Sequence, residues 1–208
     1  NVIFPFSDTL KQETTEVFVN NILNNTDNQQ QIGTKDRYSS LLTDAGAFSG
    51  CVNLVNVVVE QGNKVYDSRE DCNCIIESQS NKIICGSSVA VIPKSVKSIG
   101  KYAFSGMDIP AIYRIPDNVL RVEESAFMDC NSLYQLVVPA NTELKYNSFY
   151  GCTRLTNVIY EPVNKYVKTK KNLTFNNSPY LSCPNLMSIS ISGENVPAIK
   201  YGLFEYEY

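Results

Sequence analysis

The sequence predicts an α/β repeat protein: a right-handed solenoid of stacked coils, with a parallel β-sheet on its concave face and short helices or irregular turns on its convex face. Three observations lead to this prediction. Short segments built around an aromatic residue recur along the chain, one register gives matching apolar positions in every copy, and part of each copy alternates like a strand. A lone copy buries too little surface to fold, so the copies must share one core.

The recurring segment has an aromatic residue, usually preceded by a small one and followed three positions later by Cys or Met. The aromatic positions are Phe48, Phe104, Phe127, Phe149, Tyr180 and Phe204. Their spacings are 56, 23, 22, 31 and 24 residues. Spacings of 22 to 24 fall in the length class of leucine-rich repeats. The two longer spacings therefore carry insertions.

The same register predicts the strands. Positions nine and eleven after each aromatic are apolar and alternate with their neighbours, which is the pattern of a strand with one face inward. Proline follows in three copies, and because it lacks an N–H it ends the strand. We expect strands at residues 56–60, 112–116, 135–139, 157–161 and 188–192, paired in one parallel sheet.

One run resembles a known family. Residues 92–104 read Ile-Pro-x-x-Val-x-x-Ile-Gly-x-x-Ala-Phe, and residues 115–130 keep most of this pattern and close on Cys. This is similar to the BspA-type leucine-rich repeats of gut-bacterial surface proteins, over about residues 45–204. The resemblance implies a secreted or cell-surface protein that binds a host or bacterial surface protein, or a glycan, in adhesion.

The chain divides into two parts. Residues 1–40 predict an N-terminal helical cap or the remnant of a preceding segment, and residues 41–208 the solenoid, interrupted by a hairpin insertion at about 66–90. Within the insertion, residues 74–77 mirror residues 82–85 around a two-residue loop. The loop predicts Glu77 opposite Lys82, Ile76 opposite Ile83, and Cys74 opposite Cys85.

The seven cysteines leave several alternatives open. Cys72, Cys74 and Cys85 could be soft metal ligands, but no fourth ligand is evident. We predict instead that the column cysteines are free, buried thiols: Cys51, Cys130, Cys152 and Cys183. Whether Cys74 and Cys85 are bridged stays open. The acidic cluster of Asp67, Glu70 and Asp71 could serve acid–base chemistry or calcium, but a solvated turn fits it better.

Composition narrows the function classes. The chain has no histidine, which removes the usual nucleophile–histidine pairs, and we predict no catalytic residue, no metal and no cofactor. A net charge of −3 argues against nucleic acid. The apolar runs are shorter than the roughly 20 residues of a membrane span, and this fragment shows no signal peptide. A purely structural spacer is the alternative to a binding scaffold, and an enzyme ranks last.

A binding scaffold would use the strand face that points away from the core. Positions eight and ten after the aromatic lie on that face in each strand. The predicted ligand-binding residues are Asn56, Val58, Ile112, Arg114, Gln135, Val137, Asn157, Ile159, Ser188 and Ser190. The second of these columns is apolar for an exposed strip, and exposed apolar patches often mark contacts.

Overall fold

A computed structural model describes residues 48–59, 62–162 and 178–192. The N-terminal cap predicted for residues 1–40 and the half-repeat at Phe204 lie outside these residues. The strands are β1 (Tyr66–Asp67), β2 (Cys74–Glu77), β3 (Lys82–Gly86), β4 (Ser98–Ile99), β5 (Ile112–Arg114), β6 (Arg121–Val122), β7 (Gln135–Pro139), β8 (Glu143–Leu144), β9 (Asn157–Glu161) and β10 (Ser188–Ile191). A short 3₁₀ turn covers Arg69–Asp71.

Four strands form the predicted parallel sheet, in the order β10-β9-β7-β5. Its register pairs equivalent positions of successive repeats, for example Leu136 with Val158. The predicted pairing of 135–139 with 157–161 is therefore confirmed. The strand predicted at 56–60 is wrong, since residues 54–59 are irregular. One reason is that the Val59 N–H is used elsewhere, donating to the Ser68 hydroxyl of the insertion at 2.8 Å.

A second sheet has the order β1-β2-β3-β4-β6-β8 and was not predicted. Strands β4, β6 and β8 of this sheet are parallel, have two residues each and come from three successive coils. Ile99 pairs with Val122, and Val122 pairs with Leu144. These side chains are buried. Each of these coils therefore contributes backbone to sheets on two sides of the core.

The insertion is built into the second sheet. Its hairpin pairs Glu77 with Lys82 and Ile76 with Ile83, as predicted. A register shift between Ile75 and Ile76 then places Cys85 opposite Ile75, so the predicted pairing of Cys74 with Cys85 is wrong. Strand β3 also pairs in parallel with β4. The hairpin thus occupies the position of a preceding coil.

The aromatic residues form a stack through the core. The rings of Phe127 and Phe149 lie 5.0 Å apart with 2° between their planes. Tyr180 continues the row at 6.0 Å and 33° from Phe149. The core residues predicted to be almost fully buried are each no more than 1% exposed: Phe104, Phe127, Phe149, Leu133 and Leu155.

The segments around these aromatics are turns. Two residues before the aromatic, the backbone has positive φ at Tyr102, Ser125, Asn147 and Ser178. Two residues after it, φ is again positive at Gly50, Gly106, Asp129, Gly151 and Ser182. A left-handed residue cannot continue a right-handed helix. Of the two predicted alternatives, the described residues therefore have irregular turns and no α-helix.

The column cysteines have a defined bonding pattern. The thiols of Cys130, Cys152 and Cys183 each donate to the carbonyl oxygen of the aromatic one repeat earlier, at 3.1, 3.2 and 3.2 Å. Cys130 and Cys152 are buried and unbridged, as predicted. The prediction is wrong for Cys51, which is exposed, and holds only in part for Cys183, which is half-buried. Cys51 lies in the first described coil, where no earlier described carbonyl faces it.

Candidate binding face

The outer face of the four-stranded sheet carries eight of the ten predicted ligand-binding residues. The register aligns them in two rows across the strands. The first row is Ile112, Gln135, Asn157 and Ser188, and the second is Arg114, Val137, Ile159 and Ser190. These rows form because equivalent positions of successive repeats pair directly.

Asn56 and Val58 do not join these rows. They lie in the irregular segment before the insertion, where Asn56 is exposed and Val58 half-buried. Two valines that the register did not select, Val89 and Val91, are exposed by 50% and 69%. They alternate with Ala90 and Ile92, which pack against the core.

The signal for these two valines was present in the sequence. Ile92 is followed by proline just as Ile115 is, which makes Val91 the counterpart of Arg114. The two coils lie side by side in the structure, where the Asn118 side chain donates a hydrogen bond to the carbonyl of Pro93 at 3.1 Å. Counting from an aromatic residue missed these positions for two reasons. Gly86 takes the place of the aromatic in this coil, and Val91 follows it by only five residues instead of ten.

Arg114 is the charged centre of the outer face. Its guanidinium pairs with Asp117 at 2.8 Å and with Glu161 on β9, thereby crossing the central strand β7. The three side chains are 39–48% exposed, so each pair contributes at most about 1 kcal/mol. The pairs fix the position of the guanidinium more than they stabilise the fold.

Val137 corrects the expectation of a continuous exposed apolar row. It points outward from the central strand but is only 8% exposed. Its in-row neighbours are the long side chains of Arg114 and Ile159, one on each side. They shield it, and the row offers Arg114 and Ile159 to a ligand more than Val137.

The far end of the face is polar. The Ser188 hydroxyl donates to the side-chain oxygen of Asn157 at 2.6 Å, and the Asn157 amide donates to the Thr156 hydroxyl at 2.9 Å. Ser190 completes this end. The outer face thus passes from the exposed Ile112, through the ion pairs of Arg114, to amides and hydroxyls.

Asp67, one residue of the acidic cluster of the insertion, has a structural role. Asp67 accepts hydrogen bonds from Arg69 Nε at 2.6 Å and from the Ser78 hydroxyl at 2.5 Å. The Arg69 hydrogen bond is the main reason that the pKa of Asp67 is lowered. Arg69 also donates to Asn81 at 2.9 Å and to Ser95 at 3.3 Å, which ties the hairpin to the next coil.

The described residues hold no metal-ligand cluster and no membrane-spanning helix. Nowhere among them do three cysteine, aspartate or glutamate side chains gather as a metal site would require. None of their helical segments has the length and hydrophobicity to cross a bilayer.

Stacked repeats with a shared aromatic core and an open parallel sheet define this as a leucine-rich-repeat protein. The model of the BspA-type leucine-rich-repeat region matches residues 85–208 in six copies, which is more than half of the sequence. The chain therefore belongs to the BspA-type leucine-rich-repeat family.

Two solved structures of gut-bacterial proteins are similar to this chain. A leucine-rich repeat protein from Eubacterium ventriosum is 20% identical, with a TM-score of 0.54 over 71% of this chain and 39% of its own length. A leucine-rich cell surface protein from Faecalibacterium prausnitzii is 20% identical, with a TM-score of 0.45 over 71% of this chain and 44% of its own. The present chain spans less than half of either protein. No curated protein matches.

Proposed function

We propose that this chain is a non-catalytic binding module of an extracellular or cell-surface protein, and that its ligand lies across the outer face. In this proposal the coils form a right-handed solenoid with the outer face on its concave side. The observation that carries the proposal is the pair of aligned rows, in which side-chain chemistry changes from repeat to repeat. A purely structural spacer would not require side chains that change in this way from repeat to repeat.

The size of the face limits the ligand. Four strands spaced by about 4.8 Å give a strip of about 14 Å. This suits a protein loop, a short extended peptide or a few sugar units, and falls below the roughly 800 Å² per partner of a standard protein interface. Binding by one chain is therefore weak. Repeats elsewhere in a longer protein, or many copies on a surface, would supply avidity.

Protein and glycan arrays, followed by measurement with a variant, test the proposal. Arg114→Glu combined with Ile159→Asp reverses the central charge and removes the half-buried apolar group beside Val137. The register of β5 and β9 places neither side chain in the core. We expect binding to any array ligand to fall at least tenfold while the circular dichroism spectrum stays that of the folded chain. The unfolding midpoint should fall only modestly, because the two exposed ion pairs of Arg114 are lost and the new carboxylates lie near Asp117 and Glu161.

The second sheet offers a matched control. Arg121 is 52% exposed and pairs with two glutamates, much as Arg114 pairs with two acidic residues, and its neighbour Leu120 is 49% exposed. Arg121→Glu with Leu120→Asp makes the same chemical changes away from the outer face. Equal loss in both variants, or undiminished binding by the first, would contradict the site. An intact chain that binds no array ligand would favour the spacer.

A further inference from the structure

Cys72 and Cys74 meet at the start of the hairpin. Their Sγ atoms are 2.7 Å apart, and both residues are fully buried. A disulfide has an S–S distance of about 2.05 Å. The two sulfurs are thus well inside non-bonded contact and only a small shift from bonding distance.

The backbone, not the thiols, brings these cysteines together. Asn73 between them has a φ of 51°, a left-handed conformation that turns both side chains to one side. The turn is anchored from outside, because the Cys72 carbonyl accepts the Val91 N–H at 3.0 Å and the Asn73 carbonyl accepts the Ser87 N–H at 3.2 Å. The neighbouring coil therefore holds the pair in place.

The two thiols are chemically unequal. The Cys74 thiol donates to the Cys72 sulfur, and this hydrogen bond lowers the pKa of Cys72 and raises the pKa of Cys74. The thiolate is the reactive form of cysteine. Cys72 is therefore the nucleophile of the pair.

We propose that Cys72 and Cys74 form a disulfide that closes the entry turn of the hairpin. The oxidant is a low-molecular-weight disulfide. The Cys72 thiolate attacks one sulfur of the oxidant and releases the first small thiolate. Cys74 then loses its proton and attacks Cys72 Sγ in the mixed disulfide, which releases the second. Two protein thiols are oxidised, and one small disulfide is reduced to two thiols.

The turn that leads into Cys72 is exposed and strained. Glu70 and Asp71 in that turn are exposed and have φ of 59° and 48°, conformations that non-glycine residues adopt at a cost. We expect opening of this turn to leave the aromatic stack folded, so that oxidation proceeds on the folded chain as well as during folding.

Among the other described cysteines, Cys152 and Cys183 lie on adjacent coils, and a hydrogen bond links their thiols. The thiols of Cys130 and Cys152 donate to carbonyls of two different repeats. Cys85 faces Ile75 across the hairpin and its thiol contacts the Gly86 carbonyl at 3.6 Å. Cys72 and Cys74 differ from these cysteines in their 2.7 Å contact and in the single anchored turn that holds both sulfurs.

The test compares protein refolded with oxidised glutathione against protein kept in a phosphine reductant. Each sample is denatured without further reductant, alkylated and mapped by mass spectrometry. In the oxidised sample we expect Cys72 and Cys74 to be linked and the other cysteines alkylated. Alkylation of both Cys72 and Cys74, or a bond from either to Cys85, would overturn the proposal.

Thermal unfolding gives a second readout. Because the closed loop is very short, we expect the reductant to lower Tm by only roughly 3–6 °C. This shift should vanish in Cys72→Ser with Cys74→Ser and persist in Cys85→Ser, which keeps the pair. A shift of equal size in the double variant would also overturn the proposal.

Discussion

The ring of Phe127 lies flat against the ring of Phe104, with 5.0 Å between their centroids and 4° between their planes. The distance is close to the spacing of adjacent parallel strands, because both rings occupy the same position in neighbouring coils. Phe149 stacks in the same way on the other side of Phe127. Phe127 is thus the central ring of three.

Replacing Phe127 with Ala should cost about 3–5 kcal/mol of unfolding free energy, because the cavity lies between two rings that the coil spacing keeps apart. Urea denaturation measures the loss. Tyr134, which is 46% exposed, provides the control, and Tyr134→Ala should change stability by less than about 0.5 kcal/mol. An unfolding midpoint unchanged by Phe127→Ala would contradict the shared core.

Gly86 should not tolerate a side chain. A Cβ there would lie 2.0 Å from the Phe104 ring, which is fixed by its stack with Phe127. We expect Gly86→Ala to destabilise the fold by about 1–3 kcal/mol. In Phe104→Leu, which shortens the opposing side chain, the same change should cost clearly less. Equal costs in both backgrounds, measured in a double-mutant cycle, would show that the contact is not responsible.

The thiols of Cys130 and Cys152 should be unreactive in the native protein. Both are fully buried, while Cys51 is exposed. In protein reduced beforehand, an aromatic disulfide reagent should label Cys51 quickly and label Cys130 and Cys152 only after denaturation. Cys51→Ser should remove the fast phase. Rapid native labelling at Cys130 or Cys152 would contradict their buried hydrogen bonds to the repeat carbonyls.

Alkaline pH should destabilise the fold through the same thiols. Burial raises the pKa of Cys130 from 9.0 to about 12. Between these values the unfolded chain loses the proton and the folded chain keeps it. The contribution of this thiol is therefore constant below pH 9 and falls by about 1.4 kcal/mol per pH unit above it.

The comparison of wild type with Cys130→Ala isolates this effect, because both proteins keep the same buried tyrosines. Urea midpoints in reductant should fall less steeply between pH 9 and about 11.5 in the variant, although the variant is less stable at pH 7. Parallel pH dependences would show that Cys130 does not titrate as its burial requires.

The sequence was sufficient to predict the repeat and its parallel strands. Equivalent positions such as Leu136 and Val158 are apolar in every copy, and a shared core requires them to face the same way. The hairpin loop was also evident, since Glu77 and Lys82 flank a short polar turn. Local patterning and one register determined these features.

Contacts between coils, which only the tertiary structure shows, decided which segments form strands and how exposed the outward side chains are. Residues 54–59 carry the strand pattern, but the Val59 N–H donates to the Ser68 hydroxyl of the insertion, and these residues form no strand. Val137 carries the pattern of an exposed residue, but Arg114 and Ile159 flank it in adjacent strands and shield it. A one-dimensional pattern specifies which face a side chain takes, whereas its neighbours across the sheet determine how much of it remains exposed.

In the insertion, too, some features follow from the sequence and others from tertiary contacts. Its two strands follow from sequence, but a bulge at Ile75 and a left-handed Asn73 bring Cys74 to Cys72 and not to Cys85. The turn at Asn73 is held by hydrogen bonds to residues 87–91, which a linear pattern does not contain. The sequence by itself therefore determined the repeating core and the aligned rows of the sheet. Contacts between the insertion and its neighbouring coils decided that residues 54–59 form no strand and that Cys74 meets Cys72.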